Sequence, residues 1–305
     1  MSTLCLNMIV RNEMANLERC LSAVAPHIGC WVIGDTGSGD GTQGFIRDFF
    51  GARGIAGELH KFAFVDFEQA RNEALRAAYA SALSFDYLLF DDADMELEVE
   101  DAGFRERLTG PGYNVLQRSG GLSYWNTRLV RRDAGAWYRG VTHEYLDVPG
   151  GTEALTGLWY RDHATGANRA DKVERDIRLL TAALKTEPEN GRYWFYLAQS
   201  YRDAGRLKEA ADAFARRAGM GGWAEEAWQA RLELARCRRD LSDEAGFVKA
   251  ALEAVEARPL RAEPLYDLAR HHRIAGANHV SAMFAQRGLE LAAPAGDLLF
   301  VEEWV

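Results

Sequence analysis

The pattern of apolar residues changes period once along the chain, near residue 167, and that change constrains the fold more than any single motif. Before it, short apolar runs such as LCLNMIV (residues 4–10), CWVIGD (30–35) and YLLFDD (87–92) alternate with helical stretches. Those stretches are expected at Asn16–Val24, Gln43–Phe50 and Phe67–Ala82. Strand and helix in turn predict an α/β unit with a mostly parallel, Rossmann-like sheet covered by helices on both faces. After Asn168 the chain is rich in Ala, Leu, Arg and Glu, almost without β-branched residues, and its apolar positions follow a helical period. The expected organisation is a first domain over residues 1–167 and an all-helical domain over residues 168–305.

The helical half carries an internal repeat. In WFYLAQSYRDAGRLKEAADAF, Trp194, Leu197, Ala198 and Tyr201, followed by Ala210 and Phe214, fall in the spacing of a tetratricopeptide repeat, with Gly205 at the turn between two helices. LYDLARHHRIAG places Leu265, Leu268, Ala269 and His272 in the same slots and Gly276 at the same turn. Leu234, Ala235, Ala254 and Pro259 can be laid on a middle copy. One such unit cannot bury its own apolar face, so about three stacked helix pairs are required.

Composition narrows the class. A chain of 305 residues with 48% apolar and 27% charged residues and a formal charge of -9 is globular. The acidic balance disfavours a nucleic-acid polymer as partner. No run approaches the roughly 20 apolar residues of a membrane helix, and LCLNMIV is too short for a signal peptide, so a cytoplasmic protein without a membrane span is expected. Cys5, Cys20, Cys30 and Cys237 have neither paired nor regular spacing and read as free, mostly buried thiols.

The chemistry-bearing candidates lie in the first half. Asp91, Asp92 and Asp94 crowd the end of an apolar strand, and such carboxylates repel one another unless a cation lies between them. Asp after a strand is also an ordinary turn or cap residue. A phosphatase of the haloacid dehalogenase type would want Thr or Val where Glu96 stands. Gly39, Gly41 and Gly44 satisfy a G-x-G-x-x-G pattern, but after the second strand and beside Asp35 and Asp40, so a glycine-rich turn capped by Asp40 or Thr42 fits better than a dinucleotide site.

Four segments in order, MIVRNEMANLERCLSAV, VIGDTGSGDGT, DFEQARNEAL and LLFDDADMEL, followed by YRGVTHEYL and by HATGANRADKVERDIRLLTAAL leading into the repeats, resemble glycosyltransferase family 2. The resemblance implies a GT-A fold and an inverting, metal-dependent hexosyltransferase that takes a nucleotide-sugar donor, a UDP-sugar favoured. The acceptor would be a glycan, a lipid-linked sugar or a protein or peptide. It also implies the site roles. Asp94, Asp92 and His163 would hold Mn2+ or Mg2+ against the donor diphosphate, which gathers charge as it leaves. Asn12, Glu13, Asp35, Arg71 and Asp92 would contact the nucleotide. Glu144 or His143, in place of the family's E-D pair, would be the general base. Tyr124, Trp125, Trp137 and Tyr138 are core aromatics or a sugar platform. The other reading is a non-catalytic scaffold whose repeats bind a peptide beside an inert transferase-like domain, with a homodimer through the helical domain as a further possibility; a hydride-transfer enzyme stands behind both.

Overall fold

Alternate side chains of LCLNMIV go to opposite faces of the extended chain, and here both faces are covered. Leu4, Leu6, Met8 and Val10 pack into one core and Cys5 into another. The computed structural model describes residues 1–166 and 172–292, and the chain divides into two compact units, Met1–Lys172 and Val173–Val305. The expected boundary at 167, with Asn168 just beyond it, lies outside the described residues.

The first unit runs β1 (Leu4–Val10), α1 (Met14–Val24), β2 (Cys30–Asp35), α2 (Thr42–Gly51), β3 (Ala56–Lys61), α3 (Phe67–Ala80), β4 (Tyr87–Phe90), β5 (Met95–Val99), β6 (Gly112–Ser119), β7 (Leu122–Arg131), β8 (Trp137–Arg139), β9 (Tyr145–Asp147) and β10 (Glu153–Asp162). Eight strands form one sheet in the order β3-β2-β1-β4-β7-β6-β10-β5, and β8 and β9 form a separate antiparallel pair. The sheet is mixed: four of its seven pairings are parallel and three antiparallel, so the expected parallel order holds for β3, β2, β1 and β4 and for β6 with β10, and fails at the other pairings. β3, β2, β1 and β4 run parallel, but β7 joins antiparallel to both β4 and β6, and β5 is antiparallel to β10. Two structural facts explain the difference. Between β5 and β10 no long helix carries a crossover, and β6 turns straight back through Gly120 and Gly121 into its antiparallel neighbour β7. The apolar run through residue 97 also breaks at Asp92–Asp94 and leaves as β5 on the far edge.

Helices cover both faces of the parallel half. Leu17, Cys20 and Leu21 of α1 and Ile46, Phe49 and Phe50 of α2 join one core with the β1 residues Leu4, Leu6 and Met8. Leu75 and Ala78 of α3 pack on the other face with Val32, Leu88 and Phe90. Because β2 and β4 lie on opposite sides of β1, the strand order reverses direction there, and the carboxyl ends of β1 and β4 are the position at which open α/β sheets take ligands.

The second unit is α4 (Lys172–Ala183), α5 (Gly191–Asp203), α6 (Leu207–Ala218), α7 (Ala224–Asp240), α8 (Glu244–Ala257), α9 (Glu263–Ile274) and α10 (Asn278–Leu289). Residues 293–305 lie outside the described residues. Helices α5 to α10 form three pairs. Most of the repeat positions read from the sequence are interior, with Leu197, Ala198, Ala210, Phe214, Ala235, Ala254, Leu265 and Leu268 buried, whereas Trp194, Tyr201, Leu234 and His272 are half-buried and Pro259 is exposed. Each pair turns in the same way. Gly205, Ser242 and Gly276 have φ of 73°, 60° and 76°, and the next amide donates back to a carbonyl of the helix just ended: Arg206 to Tyr201 (2.8 Å), Asp243 to Arg238 (2.9 Å) and Ala277 to His272 (2.9 Å). This is a Schellman closure, in which the left-handed residue reverses the chain and satisfies the last carbonyls.

Candidate functional site

The loops after β1, β2 and β4 are rich in polar side chains. Asn12, just after β1, adopts φ of 56°, a left-handed conformation that Asn tolerates better than most residues. It donates its amide to Ser38 Oγ and accepts from Gly39 N, tying the loop after β1 to the loop after β2. Glu13 is buried; its backbone N–H donates to Thr42 Oγ1, and its carboxylate accepts from Asn16 Nδ2 at 2.9 Å.

Asp35 ends β2 and is 1% exposed. One oxygen, Oδ1, accepts from Gly37 N, Ser38 N and Gln43 Nε2 at 2.8–3.1 Å. The other, Oδ2, is buried with no hydrogen-bond partner among the described residues. Asp40 Oδ1 accepts from Thr42 N and Asp66 Oδ1 from Gln69 N, the second capping α3. The aspartates at the strand ends are therefore held in turn and cap geometry.

The acidic cluster after β4 divides into three environments. Asp91 is fully buried; its Oδ1 accepts from the Asp92 amide at 2.8 Å, and Cys20 Sγ lies 3.6 Å from Oδ2. Burial pushes its carboxyl well above the usual range, and Arg128 only partly offsets this. Asp92 is the reverse. Burial opposes its ionisation, but Arg71 Nη2 at 2.7 Å from Oδ1 and Arg128 Nη2 at 2.9 Å from Oδ2 hold it ionised, well below the usual carboxylate range. Arg71 also pairs through Nε with Glu144 Oε1 at 2.5 Å. Asp94 Oδ2 accepts from Gly166 N at 3.0 Å.

The structure thus brings Arg71, Asp92 and Glu144 together and adds Arg128, which sequence reasoning missed. An arginine buried in the apolar end of β7, TRLVR, was the available signal. His163 does not join them: its Nε2 pairs with Glu96 at 2.8 Å. His143 takes φ of 50° in the loop beside Glu144. Tyr138 is core, its hydroxyl raised to about 12 by burial, whereas Trp125 is 46% exposed.

These positions do not fit a metal site. Both oxygens of Asp92 are committed to guanidinium groups, His163 is committed to Glu96, and among the described residues no three His, Cys, Asp or Glu side chains converge on one point. This arrangement gives the expected Mn2+ or Mg2+ site at Asp94, Asp92 and His163 no support. The cation that the acidic cluster requires is supplied by Arg71 and Arg128.

In the helical unit, a groove of about 780 Å³ crosses α6, α7 and α8. Its lining includes the small residues Ala215, Ala218 and Ala250 and charges of both signs, including Arg238 with Asp243 and Lys249 with Glu253.

No protein-family model matches the chain. A TPR repeat-containing protein of Synechococcus elongatus is 33% identical over 155 residues, an alignment covering 48% of this chain and 36% of that protein. The chain thus spans about a third of the length of the curated relative it matches. A crystal structure of MamA superposes with a TM-score of 0.36 at 16% identity, over 40% of this chain and 71% of that one. MamA from Desulfovibrio magneticus RS-1 gives 0.35 at 15% identity, over 39% of this chain and 66% of that one. Scores this low carry no weight for fold or function.

The glycosyltransferase reading is corrected by these findings. Neither membership of glycosyltransferase family 2, nor the transferase activity, nor the nucleotide-sugar chemistry is supported, because no family model matches and the curated relative is a tetratricopeptide-repeat protein. The assignment of the sheet to the GT-A fold has no support either; the first unit is a mixed α/β sheet. Short acidic motifs at strand ends misled because Asp35, Asp40, Asp66 and Asp91 each accept local backbone amides, a structural demand common to sheets of this kind. Among the described residues, no helix is long and apolar enough to cross a membrane.

Proposed function

We propose that the chain is a protein-interaction scaffold whose helices α5–α10 bind a segment of a partner protein. The observation that carries this reading is the stack of three helix pairs closed by one repeated turn. Repeat arrays expose long, regular surfaces, and the groove across α6, α7 and α8 offers small residues together with charges of both signs. Such a lining suits a peptide with alternating charge, because salt links fix register while backbone and apolar contacts supply affinity. The tetratricopeptide-repeat relative supports the same reading.

The test is a displayed-peptide selection on the full chain, with enriched sequences measured by calorimetry. The reading predicts a recurrent motif whose affinity falls on Lys249→Glu, a reversal of an exposed charge. Selection that enriches no sequence, or sequences indifferent to that substitution and to Arg238→Glu, would contradict it.

A further inference from the structure

Helices α5, α7 and α9 are the first helices of the three pairs, and their turn residues Gly205, Ser242 and Gly276 put them in one register. Relative to the turn, a carboxylate stands nine residues earlier in α7 and α9, as Glu233 and Asp267. Arginines stand six residues earlier as Arg236 and Arg270, and three residues earlier as Arg202, Arg239 and Arg273. The ion pairs repeat with the register. Arg202 of α5 pairs with Glu233 of α7, and Arg236 and Arg239 of α7 pair with Asp267 of α9 at 2.9 and 3.0 Å. Both acids are at most 5% exposed, so each buried carboxylate has its countercharge on the preceding first helix.

Helix α9 carries the arginines once more, but among the described residues neither Arg270 nor Arg273 is paired with a carboxylate, and both are exposed. The apolar side chains around them are exposed as well. Ile274 is 77% and Met283 58% exposed, and α10 buries no residue, whereas α6 and α8 each bury several. The last pair presents the donor half of an ion-pair ladder beside an uncovered apolar edge.

We propose that the α9–α10 edge docks a helix of a partner protein that carries a carboxylate flanked by apolar residues, which occupies Arg270 and Arg273 as Asp267 occupies Arg236 and Arg239. This rests on the scaffold reading and specifies one partner chemistry for it. A second copy of the chain is a poor occupant. Edge to edge, it would oppose arginine to arginine, and its first helix α5 has Tyr196, without charge, at the position of Glu233 and Asp267.

The probe is a fluorescent, hydrocarbon-stapled copy of residues 263–276, whose Asp267 already meets arginines at these register positions, titrated against the full chain by anisotropy. Binding should weaken about tenfold or more when the probe carries Asp267→Asn or the protein carries Arg270→Gln with Arg273→Gln, the scale set by leaving a desolvated charge unpaired. Circular dichroism melting of the protein variant checks that the array remains folded. No binding, or binding equal for all these forms, overturns the proposal. So does binding that appears only once residues 293–305 are removed, which would assign the edge to the chain's own end, or a dimer abolished by the arginine variants without probe binding, which would assign it to a second copy. If selected peptides bind the groove and the probe does not bind, only this inference fails; if neither binds, the scaffold reading fails with it.

Discussion

Asp91 and Asp92 are adjacent, yet their carboxyl groups shift in opposite directions, because one is buried against a thiol and the other is held between two guanidinium groups. The signs have consequences for stability. An unfolded Asp loses its proton near pH 4. Folded Asp91 keeps its proton above that pH, so its contribution to stability declines as pH rises from about 4 towards its raised folded value. Asp91→Asn cannot titrate and should escape this decline. Its melting temperature relative to the wild type should therefore climb between pH 4 and pH 7; a constant difference would show that Asp91 is ionised in the fold.

Asp92 behaves in the opposite sense. Its stabilisation is present above about pH 4 and is lost as pH falls through its depressed folded value. Asp92→Asn leaves Arg128, whose side chain is 5% exposed, without its carboxylate partner. Urea unfolding of the variant at pH 7 should show a loss of about 3 kcal/mol, and a loss well under about 1 kcal/mol would mean that the network contributes no more than a surface ion pair. The Asp cluster was legible in the sequence as a site needing positive charge. That the charge comes from Arg71 and Arg128 was not, because Arg71 lies on α3 and Arg128 on β7, and only the folded chain brings both to the end of β4.

At the scale of elements, the repeats were legible where glycine marked the turn and obscure where it did not. Gly205 and Gly276 announce their turns, while Ser242 makes the same left-handed turn with a side chain that disfavours it. Ser242→Gly should therefore stabilise the helical unit by about 0.5–1 kcal/mol, read as a higher denaturation midpoint with an unchanged slope. A lower midpoint would mean that Ser242 makes a compensating contact. In the first unit β1, β2, β4 and α1 to α3 were legible from period and turn residues. Strands β6, β7 and β10 were not resolved as elements, because strands with one face partly exposed leave a weaker apolar pattern: residues 122–126 of β7 are mostly exposed, and only residues 128–130 are buried.

For the whole molecule, a mixed α/β unit and an array of helix pairs occupy one chain, and the regular surface belongs to the array. The repeat spacing was visible because each pair buries the same positions against its neighbour. The function attributed to the first unit rested on motifs a few residues long, whose Asp35, Asp40, Asp66 and Asp91 are tied to local backbone amides and whose Asp92 is held by arginines. The central claim, that the array binds a partner segment, is tested most directly by hydrogen–deuterium exchange of the full chain with and without a selected peptide. The account predicts slowed exchange concentrated in α6, α7 and α8, around Arg238 and Lys249. Protection confined to Met1–Lys172, with the helical array unchanged, would contradict it.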